Sequence, residues 1–312
     1  MLSRTADNLF WLSRYVERAD YLARILETTA RLSVLPKAYA GDGNEWTSAL
    51  ATAGCLNAFL AVYEKPTAET VTEFLAFSEK NPSSIRRCLE TARFNARAVR
   101  TALTQEMWET INGAWLELQK MDGREPPLAR APRFIEWVKD VALRIDGSGY
   151  RTMLRNDVYW FSRLGFFIER ADNTARILDV KYHILLPESS AVGGGLDYSQ
   201  WTAILRSVNA LTAYRWVYRE SLRPWLIADL LILNEELPRS LASCYKNIVE
   251  CLDNLAGAYG RQGKAQRQAR TIQTALENSL IDQVFRIGLH EFLTSFIADN
   301  DRVAAAIIEQ YL

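Results

Sequence analysis

The chain has 312 residues, 49% hydrophobic and 24% charged, the balance of a globular protein with one large or two moderate domains. Its 37 Lys and Arg offset 37 Asp and Glu, so bulk electrostatics supply no pull toward nucleic acid or an anionic membrane. No run reaches the roughly 18 apolar residues of a membrane span, the first residues lack the pattern of a secretory signal, and the expected location is cytoplasmic.

Residues 3–33 carry a helical apolar pattern, with Ser3 or Thr5 able to cap its start. Inside it lies a stretch that the chain contains twice. Leu12 to Leu26 recurs as Leu164 to Leu178, 152 residues on, with nine of fifteen positions identical. Such self-similarity marks an internal tandem duplication. On a helix, Leu12, Tyr15, Ala19, Leu22, Ala23 and Leu26 share one side, and Glu17, Asp20 and Arg24 the other. The second copy repeats both sides, with Glu169, Asp172 and Arg176 as its polar face. Asp20 precedes Arg24 by four residues, the favourable order for a helix ion pair. Three readings of this face stand: an inter-helix structural network, a ligand or catalytic site, and a plain solvated surface. Solvated charges are interchangeable. Their recurrence, with Arg18 and Arg170, therefore points to a geometric need, and a pseudo-two-fold arrangement of the copies supplies one. Expected pairings are Glu17 with Arg170 or Arg176, and Glu169 with Arg18 or Arg24.

Farther along, residues 36–44 read as a loop, 45–63 as a Trp-containing helix and 68–78 as a short helix. Asn81 can cap the next helix, with Pro82 at its first position and its end near Leu103. A helix over 106–121 follows. Residues 123–132 have the composition of a connector, a helix over 133–145 comes next, and Gly147-Ser148-Gly149 reads as a break. The second motif helix covers 154–185, with a Gly-containing loop after it. Trp46 and Tyr63 match Trp201 and Tyr218 at an offset of 155, and Pro82, Ser84 and Cys88 match Pro238, Ser240 and Cys244 at 156. Helices over 266–285 and 291–312 complete the chain. No period-two alternation is present, so the expected fold is all-α: a bundle of roughly ten helices, with repeats over 1–122 and 133–312 packed as one unit around the connector 123–132.

The paired Glu-Arg stretches resemble the alpha-E family, a predicted α-helical bacterial domain with a Glu-Arg signature. The resemblance extends to Ala6 through Trp11, Ala92 through Arg100, Glu106 through Glu109, and Thr152 through Asp157 leading into Gly165. It implies a context of peptide synthesis or modification. The implied companions are circularly permuted ATP-grasp carboxylate–amine ligases, transglutaminase-like proteins and amidohydrolase-type peptidases. On this resemblance the chain is a helical partner or substrate-presenting component beside an ATP-grasp ligase. Two alternatives are an enzyme of amide or peptide modification, with Glu17 or Glu169 as acid/base, and a purely structural scaffold.

Arg86, Arg93, Arg97 and Arg100 share one helix face, with Asn95 in the same segment, as candidates for binding an acidic peptide, a carboxylate or another acidic partner. The aligned positions of the second half are Ala242, Val249, Asp253 and Ala256, so this cationic face occurs once. A solvated face and pairing with Glu17 or Glu169 are its other readings. No cofactor or metal is expected. His183 and His290 lack metal-ligand spacing, and Arg24 and Arg176 would repel a cation from the motif carboxylates. The four cysteines read as core thiols, and Gly193-Gly194-Gly195 lacks the Lys and Ser/Thr of a phosphate loop.

Overall fold

A computed structural model describes residues 2–34, 45–121, 125–185 and 195–312. Among these residues there are fifteen α-helices, one π-helical turn and no strand. In chain order they are α1 (Ser3–Ser33), α2 (Glu45–Thr52), α3 (Leu56–Leu60), α4 (Ala68–Thr72) continued by the π turn Glu73–Phe77, α5 (Ile85–Ala98), α6 (Gln105–Lys120) and α7 (Pro127–Thr152). Then come α8 (Asp157–Leu185), α9 (Gly195–Ser207), α10 (Leu211–Tyr218), α11 (Pro224–Ile232), α12 (Leu241–Tyr259), α13 (Lys264–Glu277), α14 (Ile281–Ile287) and α15 (Leu289–Tyr311). The loop read over 36–44, and Gly193 and Gly194, lie outside the described residues, as does the side chain of His183.

The helix count exceeds ten because turns split segments that periodicity reads as continuous. The segment 45–63 breaks at Gly54, whose φ of +67° ends α2 and is cheap only for glycine. The segment 266–285 breaks at Asn278, the C-cap of α13. The opposite error occurs at α7. It starts at Pro127 inside the expected connector, carries Pro132 in its second turn and runs through Gly147 and Gly149. A proline that early forfeits one backbone hydrogen bond, and the aromatic and aliphatic contacts of Phe134, Ile135, Val138 and Val141 outweigh that loss.

Two cap expectations are corrected. Leu2, not Ser3 or Thr5, is the N-cap of α1 and makes no side-chain cap bond. Ser84, not Asn81, caps α5, its hydroxyl accepting from the Arg87 amide. Asn81 instead braces the preceding turn, accepting from the Ser83 amide and donating to the Phe74 carbonyl. Helix α5 starts at Ile85, so Pro82 precedes it rather than taking its first position, and it ends at Ala98 rather than Leu103.

Helices α1 and α8 lie against each other at the centre. Around α1 pack α5, α7 and α9; around α8 pack α12, α15 and α2. Helix α6 packs on α5 and α7, and α13 on α12 and α15. The connections interleave: α2 follows α1 in sequence yet packs chiefly on α8, and α9 follows α8 yet packs chiefly on α1. A helix so surrounded is buried on every side. Leu9, Leu12 and Leu26 of α1 are core, and so are Glu17, Asp20 and Arg24. The polar stripe does not face solvent.

Candidate functional site: a buried Glu-Arg network

The network begins with a close approach of α1 and α8. A Cβ on Gly165 would stand 2.1 Å from the Phe10 carbonyl oxygen, so only glycine admits the contact. Nearby, the hydroxyls of Ser13 and Ser162 lie 2.8 Å apart. These two contacts exchange under the 152-residue shift, since Phe10 aligns with Ser162 and Ser13 with Gly165.

One turn farther along come the glutamates. Arg18 forks onto Glu169, its Nε 2.6 Å from Oε1 and its Nη2 3.1 Å from Oε2. Arg170 forks onto Glu17 in the reciprocal way, at 2.8 and 3.3 Å. Arg14 adds a bond of 2.8 Å to Glu169, and Arg239, just before α12, reaches Glu17 at 3.2 Å and Asp20 at 2.9 Å. Each glutamate is 2% exposed and is held by two guanidinium groups.

Arg24 and Arg176, the other expected cross-helix partners, do not reach the opposite glutamate. Each pairs within its own helix, Arg24 with Asp20 at 2.8 Å and Arg176 with Asp172 at 2.7 Å. Arg24 also donates to the Ser207 carbonyl at the end of α9, 3.0 Å away, where a cation meets the negative end of a helix. Arg176 points at the equivalent turn after α2, 3.6 Å from where a Cβ of Gly54 would lie. The two arginines of the motif thus do different work: the first crosses to the other central helix, the second stays on its own helix and faces the end of a neighbouring one.

The number of arginines decides the charge state. Burial pushes the Glu169 carboxyl up, but Arg18 and Arg14 outweigh it and hold it below the ordinary value. Burial likewise opposes Asp20, and Arg239 with Arg24 overcomes it. Asp172 has Arg176 alone; there burial wins and the carboxyl rises. In the ion pairs of the network among the described residues, six arginines (14, 18, 24, 170, 176 and 239) meet four carboxylates (17, 20, 169 and 172). That balance suits no metal cation, and no group of three or more His, Cys, Asp or Glu among the described residues could hold one.

Thiols flank both pairs. Cys88 on α5 feels Arg18 and Glu169, and Cys244 on α12 feels Arg170 and Glu17. Burial pushes each thiol up to about 12, which removes it as a nucleophile at neutral pH. All four cysteines are unpaired. His290 lies 2.6 Å from Asp179.

A cavity of about 20 Å³ beside Ser13, Ser162 and Phe166 has room for one water, and neither glutamate lines it. Two larger clefts, of about 250 Å³ between α13 and α15 and about 460 Å³ beside the end of α1, do not include the glutamates either. A general base must reach its substrate's proton. Glu17 and Glu169 have their oxygens occupied by arginines and line none of these three spaces.

Arg86, Arg93 and Arg97 of α5 stand apart from this network, and Arg100, expected on the same helix face, lies in the turn after α5 because the helix ends at Ala98. Arg86 and Arg93 are half-buried, Arg97 and Arg100 exposed. Arg93 donates to Asn112 at 3.3 Å, and Arg100 lies over the Trp108 ring at 5.0 Å. None of the four pairs with Glu17 or Glu169, which Arg14, Arg18, Arg170 and Arg239 occupy. Asn95 does not join them: it is 9% exposed, on the inward face of α5.

Sequence reasoning missed Arg14 and Arg239. Arg14 lies one turn before Arg18, on the same side of α1, a spacing that could have been read. Arg239 aligns with Ser83, so no arginine recurs at that position and it carries no periodic signal.

No curated protein and no solved structure matches the chain. A family model described as a predicted alpha-helical domain with a conserved ER motif matches residues 1–312. The Glu-Arg pairs at 17–18 and 169–170 are the two places where those letters occur, and they form the centre of the structure. The chain belongs to the Alpha-E family.

Proposed function

We propose that the protein is a non-catalytic helical module that works by contact, presenting a substrate or partner to an ATP-grasp type carboxylate–amine ligase of a bacterial, cytoplasmic peptide synthesis or modification system, with a transglutaminase-like protein as a further companion. The observation that carries the first half of this reading is the double clamping of Glu17 and Glu169. The most distinctive charged groups of the chain are sealed into its architecture, which leaves recognition to the exposed surface. The ligase context rests on the family resemblance.

The same reading takes the chain as a tandem duplication folded as a pseudo-dimer. The exchanged contacts around Gly165 and the reciprocal Glu-Arg forks support it. Helix α7 packs on α1 and α6 as α15 packs on α8 and α13, so we place the division between repeats at the turn 153–156 rather than at 123–132. Arg86, Arg93 and Arg97 of α5, with Arg100 in the turn after it, have no carboxylate within ion-pair distance among the described residues and form the candidate contact for an acidic peptide or carboxylate.

The test is co-expression with the ATP-grasp ligase encoded nearest to it, followed by affinity purification and mass spectrometry of small peptide products. Recovery of a complex whose product yield falls in its absence supports the reading. A ligase that neither binds the protein nor changes its output with it removes the reading.

A further inference from the structure

One cleft lies where the end of α1 meets α7, α9 and the start of α10, and Arg86, Arg93, Arg97 and Arg100 do not line it. Its volume is about 460 Å³, and Glu27, Arg31, Lys139, Arg206 and Thr212 line it. Glu27 is taken up by Arg31 at 2.7 Å and Lys139 at 2.8 Å. Arg206 is exposed and has no carboxylate within ion-pair distance among the described residues.

Thr212 belongs to α10, and the outward side of that helix continues the cleft. Counting by three and four from Thr212 gives Arg215 and Trp216, and Arg219 follows at the helix end. All are exposed, Trp216 at 78% of its surface, and no carboxylate among the described residues pairs with Arg215 or Arg219. The inward side holds the helix in place: Tyr214 is fully buried and its hydroxyl donates to the Ser221 carbonyl. The stripe is therefore a fixed surface. It also has no counterpart in the first half, where Leu60, Ala61 and Glu64 occupy the aligned positions.

We propose that the cleft and the outward stripe of α10 form one docking surface for an acidic segment of a partner protein, its carboxylates set on Lys139, Arg206, Arg215 and Arg219 and an apolar side chain on Trp216. Among the described residues Arg206, Arg215 and Arg219 have no carboxylate partner, and Arg31 and Lys139 share Glu27 alone, which fixes the sign of the partner. Exposed Trp and Arg are the residue types that dominate protein–protein contacts. Lys139 is recessed, 25% exposed, where a side chain can reach it and a flat bilayer cannot. The surface is independent of the α5 arginines and of the ligase reading.

The experiment uses a fluorescein-labelled peptide built from the repeat Glu-Leu-Glu-Glu, titrated with the full chain and read by anisotropy. Saturable binding that weakens as salt rises is expected. Trp216→Ala and the pair Arg215→Glu/Arg219→Glu should each weaken it about tenfold, with circular dichroism and melting temperature unchanged, and the same losses should appear in an Arg93→Ala/Arg97→Ala background. Absence of saturable binding overturns the proposal. So does binding that ignores the α10 variants or follows the α5 variants instead. Phosphatidylserine vesicles form the second arm: Trp216-dependent sedimentation with vesicles, without peptide binding, would make this a lipid surface and likewise overturn the proposal.

Discussion

Glu17 and Glu169 are buried ions, and a buried ion is tolerated only while its partners remain. Glu17→Gln leaves Arg170 and Arg239 short of a counter-charge, and Glu169→Gln does the same to Arg14 and Arg18. Each substitution should cost about 3–5 kcal/mol in denaturant unfolding. A double-mutant cycle on Glu17 and Arg170 should show coupling above about 0.5 kcal/mol, and one on Glu17 and Arg176 none, because Arg176 is bound to Asp172. The depressed Glu169 carboxyl sets a pH dependence. Its folded value lies below the unfolded one, so its stabilisation is present above about pH 4.3 and is lost as pH falls through the folded value. Melting temperatures followed downward from pH 5 should drop more steeply for the natural protein than for Glu169→Gln. Parallel curves would show that Glu169 is not held as an ion.

Among the helices, the decisive feature is how closely α1 and α8 approach. Gly165→Ala puts a methyl group against the Phe10 backbone, which cannot swing aside as a side chain can. The two helices must then separate and loosen the forks one turn away. The cost should be at least the about 1–3 kcal/mol of an overpacked core, measured by denaturant unfolding. A Gly257→Ala control, where an added Cβ meets nothing within 4 Å, should be neutral or stabilising. The α5 helix behaves differently. Arg97 is exposed and Arg93 half-buried on a polar contact, so Arg93→Ala and Arg97→Ala should leave the melting temperature nearly unchanged while weakening binding of an acidic ligand. A loss of several degrees in both would make these arginines structural.

For the molecule as a whole, the halves complete each other. Each central helix carries charges neutralised by the other, and α2 and α9 pack chiefly on the central helix of the opposite half. A fragment ending at residue 153 would expose Arg14, Arg18 and the α1 face that covers α8. Fragments 1–153 and 154–312 expressed separately should give no cooperative melt, and co-expressed they should purify together. Independent cooperative folding of either one would show that the interleaving is dispensable.

The repeated stretch and its helical period pointed to two helices whose Glu-Arg pairs meet, with other partners still open, and the lack of period-two alternation pointed to an all-α chain. Periodicity and recurrence are local properties, and Glu17, Arg18, Glu169 and Arg170 carry both. Helix ends were less legible, because Gly54 breaks a helix through its left-handed φ while Gly147 and Gly149 sit inside one, and packing alone distinguishes them. The recruitment of Arg14 and Arg239 and the different tasks of Arg24 and Arg176 required tertiary structure. A helix wheel assigns a polar face to solvent by default. Only the surrounding of α1 by α5, α7, α8 and α9 removes that solvent and obliges each carboxylate to find its arginines inside the protein.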